Sequence, residues 1–480
     1  MQPKLFKVLV GKEIRDDFHD SIQIFSPINN QIIGSIPRVK NKYQIDKICH
    51  EAKEAFAIYK NTSFESRKNK LLNFCELLNK NWDEISNLIV WEIAKSKRDA
   101  IKEIERTIDY IKLTIDEYEK MINKQPMIID SNVHNIKGKT GKFYYEPLGV
   151  VLAISPFNYP LNLLMTKLAP ALISGNVVVY KPATQGSCLG AFISLLLYES
   201  GFKNGEVSCV IGKGSEVGDW LIENSDINMI TFTGSTSVGK RISQLNPLIP
   251  VSLELGGKDA AIVLKDADIA KTAANIVKGA FLYNGQRCTG IKRVLVDDKV
   301  AYKLVDAINY EINKLTIGSA SEGNFDVTEM ISANSIKYNL HLLLDALQKG
   351  ALTDQNIRLI NNNILAPIVL YNVNSNCQIY YEEQFGPVLP IISFKSIESA
   401  IEINNESEYG LQASIYTEDI ELANEIAKSL DVVTVNINQS PSRGPDIFPF
   451  GGIKNSGKGM QGIKEAIISM NRIKGVIEND

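Results

Sequence analysis

Cys288 stands in Gly285-Gln286-Arg287-Cys288-Thr289, where a helical pattern ends. A free cysteine is most often a small buried apolar residue. Here a guanidinium is adjacent and a glycine permits close approach, and a nearby cation favours the thiolate, the nucleophilic form. Glu254 follows an apolar run and precedes Leu255-Gly256-Gly257-Lys258. A carboxylate at a strand end is placed to act as a base, although a single glutamate is more often an ion-pair partner at the surface. Glu383, in Glu382-Glu383-Gln384-Phe385-Gly386-Pro387, reads equally as a turn acid before a Gly-Pro breaker. Metal chemistry is not expected. The six cysteines (49, 75, 188, 209, 288 and 377) form no Cys-x-x-Cys motif, and the four histidines (19, 50, 134 and 341) form no ligand pair.

Three further segments could hold an anion. Thr233-Gly234-Ser235-Thr236-Ser237-Val238-Gly239 ends one apolar run and opens a helical pattern. Hydroxyl and amide donors at a helix start suit phosphate, and the same residues suit an ordinary helix cap. Gly212-Lys213-Gly214-Ser215-Glu216-Val217-Gly218 resembles a dinucleotide fingerprint but has one residue too many before the third glycine, so a tight turn explains it equally well. In Tyr180-Lys181-Pro182-Ala183-Thr184 a lysine could hold ribose or phosphate as a point charge, or simply be a solvated loop residue. NAD sites normally offer a carboxylate to the ribose 2′-hydroxyl; Thr184 offers only a hydroxyl, which admits a 2′-phosphate without repulsion.

The elements that must position these residues follow from composition and pattern. The 480-residue chain is 44% hydrophobic and 22% charged, as ordinary globular proteins are, and its 52 basic and 55 acidic residues leave a net charge of −3. That balance argues against a nucleic-acid binder. No apolar run approaches the ~18 residues of a membrane helix. The start, Met1 to Phe6, lacks the apolar core of a signal peptide, so a soluble cytoplasmic protein is expected. Strands are expected at 22–25 and 31–33, and amphipathic helices from Tyr43 to about Lys120. Over 147–255, apolar runs at 150–154, 177–180, 207–211, 229–232 and 251–253 alternate with helical patterns near 160–173, 187–201, 215–223 and 236–244. Near-continuous apolar strands bridged by helices predict an α/β fold with a parallel sheet covered on both faces. Functional residues then belong at the carboxyl ends of the runs. Runs at 260–264, 293–296, 391–394 and 432–436, with helical patterns near 268–283, 300–315 and 418–429, predict a second α/β unit.

Seven segments in one order resemble the aldehyde dehydrogenase superfamily: Ser155-Pro156-Phe157-Asn158-Tyr159-Pro160, Lys181-Pro182-Ala183, Phe232-Thr233-Gly234-Ser235, Glu254-Leu255-Gly256-Gly257-Lys258, Gly285 to Thr289, Glu383 to Pro387, and Phe450-Gly451-Gly452-Ile453-Lys454-Asn455-Ser456-Gly457. Thr184-Gln185-Gly186-Ser187 and the stretch Gln439 to Phe450 resemble its non-phosphorylating, NADP-dependent glyceraldehyde-3-phosphate dehydrogenase branch, whereas Gly451-Gly452 keeps the general superfamily form. The resemblance implies a Rossmann-type cofactor domain (1–120 and 147–254), an α/β catalytic domain (255–459) and a small β oligomerisation element (121–146 and 460–480), in a homotetramer. It implies that Cys288 attacks an aldehyde, that Asn158 stabilises the oxyanion and that Glu254 activates water for thioester hydrolysis. NADP, with NAD possible, would meet Lys181, Thr184, Gly234, Ser235, Leu255, Glu383 and Phe385, with Ser155 and Asp219 as further candidates. A phosphorylated aldehyde would meet Arg106, Tyr159, Arg287, Thr289 and Arg443. Arginines would serve a carboxylate equally well, so succinate semialdehyde is the alternative substrate. A CoA-acylating enzyme is disfavoured by Glu254, and a catalytically silent scaffold by the joint presence of Cys288, Glu254 and Asn158.

Overall fold

The five apolar runs of 147–255 become five parallel strands, Val150–Ile154, Val177–Lys181, Val207–Cys209, Met229–Thr233 and Val251–Glu254, in a computed structural model that describes residues 2–130 and 138–479. Residues 131–137 of the expected 121–146 segment, with His134, and the terminal Met1 and Asp480 lie outside the described residues. Taken in chain order, the strands lie third, second, first, fourth, fifth across the sheet, with Gly457–Lys458 added antiparallel at the edge. This is the doubly wound order, and the chain switches direction between Val150–Ile154 and Met229–Thr233. At that point the helices leave to opposite faces and a crevice opens at the strand ends.

The second sheet holds Ile368–Leu370, Val388–Phe394, Arg293–Asp297, Ala260–Val263, Gln412–Tyr416 and Thr434–Ile437, all parallel, in that order. Two apolar clusters cover its two faces, one around Ile262, Leu295 and Ile415, the other around Val263, Val294 and Ile391. The central strand Gln412–Tyr416 and the helices Ala333–Gln348 and Ile397–Asn405 lie outside the elements expected from sequence.

One large core joins the first sheet to the N-terminal helices. Helix Lys97–Ile122 buries Ile104, Ile108, Ile111 and Ile115, spaced four, three and four residues apart, and Ser96 caps it by accepting the N–H of Asp99. Each fully buried isoleucine stabilises by about 1.5–3 kcal/mol, which explains why this stripe fixes the helix against Asn162–Ile173. Ile463, Ile467 and Met470 join the same core, so the C-terminal helix Ile463–Ser469 sits with the first lobe. A separate three-stranded sheet pairs Met127–Asp130 and Asn471–Asn479 to either side of Lys139–Pro147, all antiparallel.

Candidate functional site

The crevice at the switch point is a cavity of about 440 Å³. Ile154 and Ser155 line it from the end of one strand and Phe232, Thr233, Gly234 and Ser235 from the next. The second lobe closes it with Gly256, Cys288, Glu383 and Phe385. Those residues come from segments that precede the strands Ala260–Val263, Arg293–Asp297 and Val388–Phe394. The lining residues therefore follow their strands in the first sheet and precede them in the second, because the second sheet turns its amino ends toward the first sheet's carboxyl ends.

The lining suits a dinucleotide. Ser235 precedes helix Thr236–Leu245 but its hydroxyl accepts no amide of the first turn; it lies 3.2 Å from the hydroxyl of Ser237, which leaves the first amides of the helix for an anion. The buried hydroxyl of Ser155 has no partner within the protein. At Gly256 a Cβ would sit 2.2 Å from Glu383 Oε2, so a side chain there would displace the acid.

Cys288 is half-buried, whereas the other five cysteines are buried. A kinked turn delivers it. Tyr283 and Asn284 take left-handed backbone angles (φ 54° and 56°), which cost roughly 1–2 kcal/mol per residue. Hydrogen bonds hold the turn: the Tyr283 hydroxyl donates to Ile93 O at 3.0 Å, and Asn284 Nδ2 donates to Thr328 O at 2.7 Å. At Gly285 (φ +71°) a Cβ would lie 2.5 Å from Gly386 O, so only glycine fits there. Burial, then the charge of Glu254, pushes the thiol up to about 11, against the pull of Lys292 and Arg443. Alkylation of Cys288 by iodoacetamide in the ligand-free protein should therefore rise about tenfold per pH unit from neutral pH. It should keep rising until about pH 11. A plateau near neutral pH would show that the thiol is already activated without ligand.

Glu254 ends its strand, buried. Arg443 Nη1 donates to Oε1 at 2.6 Å and the Thr233 hydroxyl to Oε2 at 2.8 Å, while Lys167 Nζ donates to Thr233 at 2.6 Å. Burial alone would raise this carboxyl; Arg443 and Lys167 outweigh it and hold the group below the ordinary carboxylate range, ionised at neutral pH. Burial pushes Lys167 down to about 8, with Glu254 opposing. Asn158 gives one amide hydrogen to Gln286 O at 2.9 Å, leaving the second free beside the cavity it lines with Cys288.

On the far side of Cys288 lies a smaller cavity of about 80 Å³, lined by Arg106, Tyr159, Asn162, Leu163, Arg287, Cys288, Thr289, Ser442 and Arg443. All five residues expected to bind substrate meet here, and the cysteine belongs to both cavities. Arg106 pairs with Asp446 (2.8 Å) and also donates to Arg443 O. Arg287 donates to Gly279 O at 2.6 Å, and its Nε has no partner.

Three cofactor candidates do not line the cavity. Lys181 ends its strand buried, donates to Pro182 O at 3.1 Å and is pushed down to about 8 by burial. Thr184 follows in the next turn, next to the lining residue Ala183. Asp219 is half-buried on helix Gly214–Ile222 and paired with Arg241. Sequence reasoning missed Lys167, Thr233 as a link to Glu254, Asn162 and Ser442. Thr233 and Ser442 lie inside quoted motifs without having been singled out there, and Asn162 opens the helix that follows the motif Ser155 to Pro160. It also missed the buried pair Lys95–Glu103 (2.6 Å). Lys95 donates to Asn158 O at 2.6 Å and lies 3.7 Å from the centre of the Tyr159 ring, and Glu103 accepts the amides of Leu161 and Asn162. This clamp fixes the segment that serves both cavities, and no local signal marks it, since Lys95-Ser96-Lys97 reads as a surface cluster. Among the described residues no cluster of His, Cys, Asp and Glu could hold a metal ion.

A doubly wound sheet that shares a crevice with a second parallel α/β lobe, and one half-buried cysteine between them, is the aldehyde dehydrogenase-like architecture expected from the sequence. The chain matches the aldehyde dehydrogenase family over residues 14–476 and belongs to it. It is 41% identical over 460 residues to the NADP-dependent glyceraldehyde-3-phosphate dehydrogenase of Streptococcus equinus, with 95% of each chain covered. To the protein of that name from Pisum sativum it is 41% identical over 437 residues, covering 91% of this chain and 88% of the relative. The crystal structure of NADP-dependent glyceraldehyde-3-phosphate dehydrogenase from Bacillus halodurans C-125, complexed with NADP, shares the fold with a TM-score of 0.95 at 43% identity and 99% coverage of both chains.

Proposed function

We propose that the protein oxidises D-glyceraldehyde 3-phosphate to 3-phosphoglycerate with NADP and water, without inorganic phosphate. The observation that carries this reading is the small cavity, where Arg106, Arg287, Arg443 and Tyr159 surround one side of Cys288. Three guanidiniums and a phenol supply the charge-assisted donors that a phosphate monoester needs. The named relatives support the same substrate and cofactor.

The residues divide the work as follows. The Cys288 thiolate attacks the aldehyde carbon and forms a thiohemiacetal. The free hydrogen of Asn158 Nδ2 and the backbone N–H of Cys288 stabilise the oxyanion, one such donor being worth about 3–4 kcal/mol. When bound, NADP accepts the hydride that leaves the former aldehyde carbon. The resulting thioester is hydrolysed by water that gives its proton to Glu254, and the thiol is released. Ser155, Gly234, Ser235, Leu255, Glu383 and Phe385 hold the cofactor, with Lys181 and Thr184 toward its 2′-phosphate; NAD is a weaker substitute. Asp219, paired with Arg241, contributes least.

In domain terms, 1–120 and 147–254 form the cofactor lobe and 255–459 the catalytic lobe. The three-stranded sheet pairs subunits, toward a homotetramer. Exposed Ile129, Ile473 and Ile477, which the strand register puts on one face of that sheet, support pairing, since such a row is ordinarily covered. A cytoplasmic location follows from the charged substrate and cofactor. Among the described residues no helix is long and apolar enough to cross a membrane.

The test is reduction of NADP followed by absorbance, with glyceraldehyde 3-phosphate in buffer free of phosphate and arsenate, then with NAD, then with succinate semialdehyde. Fast reduction with NADP, unaffected by added phosphate, supports the proposal. Reduction with succinate semialdehyde alone would keep Cys288 and Glu254 in their roles and discard the phosphate site. Within that site, Arg106→Leu should raise KM for glyceraldehyde 3-phosphate about tenfold, the equivalent of one charge-assisted hydrogen bond, and leave unphosphorylated glyceraldehyde nearly unchanged. Equal losses with both aldehydes would assign Arg106 to holding Asp446 instead.

A further inference from the structure

One buried cation lines neither cavity and is given no step in the chemistry above. Lys292 is buried, its side chain 1% exposed, in the loop between Cys288 and the strand Arg293–Asp297. Its ammonium donates to Arg287 O at 2.5 Å and to Cys288 O at 3.1 Å, with Gly290 O at 3.5 Å. The carboxylate Oε1 of Glu383 lies 3.3 Å away. That same oxygen accepts the N–H of Gly257 at 3.1 Å, and the ammonium stands 5.6 Å from the centre of the Phe385 ring. One charge thus touches the backbone of the nucleophile on one side and two residues lining the larger cavity on the other. A buried ammonium needs partners for all three hydrogens, and these acceptors supply them. The neighbouring Lys258 does not duplicate it, because its Nζ goes to Glu382 O and Gln384 Oε1.

We propose that Lys292 is a positioning residue, which ties the Cys288 segment to the carboxylate of Glu383 and so fixes the thiol relative to the floor of the cofactor cavity. This rests on the reading of Cys288 as nucleophile and of Glu383 as a cofactor contact. Misplacement of reacting groups by about 1 Å can cost about 100-fold in rate, so a tie of this kind has kinetic consequences although Lys292 lines neither cavity. The charged groups facing the thiol are Glu254, Asp259, Lys167, Lys292 and Arg443. Those sharing the surroundings of Lys292 are Glu383, Asp259, Lys258 and Arg293.

The experiment compares Lys292→Met and Lys292→Arg with the native full chain. The first readout is alkylation of Cys288 by iodoacetamide against pH without ligands, quantified on the Cys288 peptide; the second is kcat with both KM values. Lys292→Met should displace the alkylation profile upward by about one pH unit, since a favourable cation is lost. It should lower kcat about 10- to 100-fold and raise KM for NADP more than KM for the aldehyde. Lys292→Arg keeps the charge and should restore the alkylation profile, with kcat only partly recovered. Lys292→Met combined with Glu383→Gln should lose little more than the worse single variant. A native profile and native kcat in Lys292→Met, equal displacement by Met and Arg, or full additivity of the pair would each overturn the proposal. If Lys292→Met does not fold, Lys292→Arg and Glu383→Gln decide it: the tie predicts a KM rise for NADP in Glu383→Gln and a native alkylation profile in Lys292→Arg, and failure of either overturns it. The alkylation arm uses no substrate, so it stands whichever aldehyde the protein oxidises.

Discussion

Cys288→Ala abolishes aldehyde-dependent NADP reduction, with an expected loss of at least about 10⁴-fold, while NADP binding followed by fluorescence quenching is retained. No other thiol can take over, because Cys49, Cys75, Cys188, Cys209 and Cys377 are all buried away from the two cavities. Alanine removes only the sulfur and leaves the kinked turn at Tyr283 and Asn284 with its hydrogen bonds to Ile93 and Thr328. Stability measured by thermal unfolding should therefore change little. Activity that survives in Cys288→Ala would return the reading of the cysteine as a small apolar residue of the packing and send the search for the nucleophile elsewhere.

The second large effect is expected at Glu254. Glu254→Gln should still acylate and so release one equivalent of NADPH per site in a rapid burst, after which steady turnover falls by about 10²–10⁴-fold, the usual contribution of a general base. The amide can still accept the Thr233 hydroxyl but no longer neutralises Arg443 and Lys167. Breaking a buried ion pair on one side costs about 3–5 kcal/mol, so the variant should also unfold at lower temperature, and the burst must be normalised to folded protein. A burst reduced as much as the steady rate would move Glu254 from thioester hydrolysis to the acylation step. In the native protein the depressed carboxyl of Glu254 has a further consequence. Its contribution to stability is present above the ordinary carboxylate range and is lost as pH falls through its lowered folded-state value.

Neither effect depends on residues that were hard to find. Cys288, Glu254 and Asn158 sit in motifs readable in the chain, and so do the arginines at 287 and 443. Arg106 is different: nothing around it on its helix distinguishes it from a solvated cation, and only the fold brings it to Asp446 and the small cavity. Lys95 and Glu103 are more hidden still, because a charge is read as exposed unless its partner is known. The partner here lies eight residues away, and the segment it clamps lies more than fifty residues further on.

The first sheet is legible in the chain. Its strands are buried on both faces, so their apolar runs are continuous and their ends predictable, as at Val150–Ile154 and Met229–Thr233. Thr233, Gly234 and Ser235, directly after the run 229–232, identified one wall of the larger cavity. The remainder depends on contacts between segments far apart in the chain. Gln412–Tyr416 is a central strand despite two polar residues, because Gln412 finds Ser442 and Asn436 as partners, contacts that no local window contains. The second sheet turns its amino ends to the site, which sequence periodicity cannot encode, since an apolar run has the same pattern read in either direction. Whether Lys181, Thr184 and Asp219 reach the cavity, and whether three arginines from distant segments converge on one sulfur, was likewise set by packing. Sequence fixes which groups a chain carries and how each segment is inclined to fold; distances between groups far apart in the chain exist only once the core has formed.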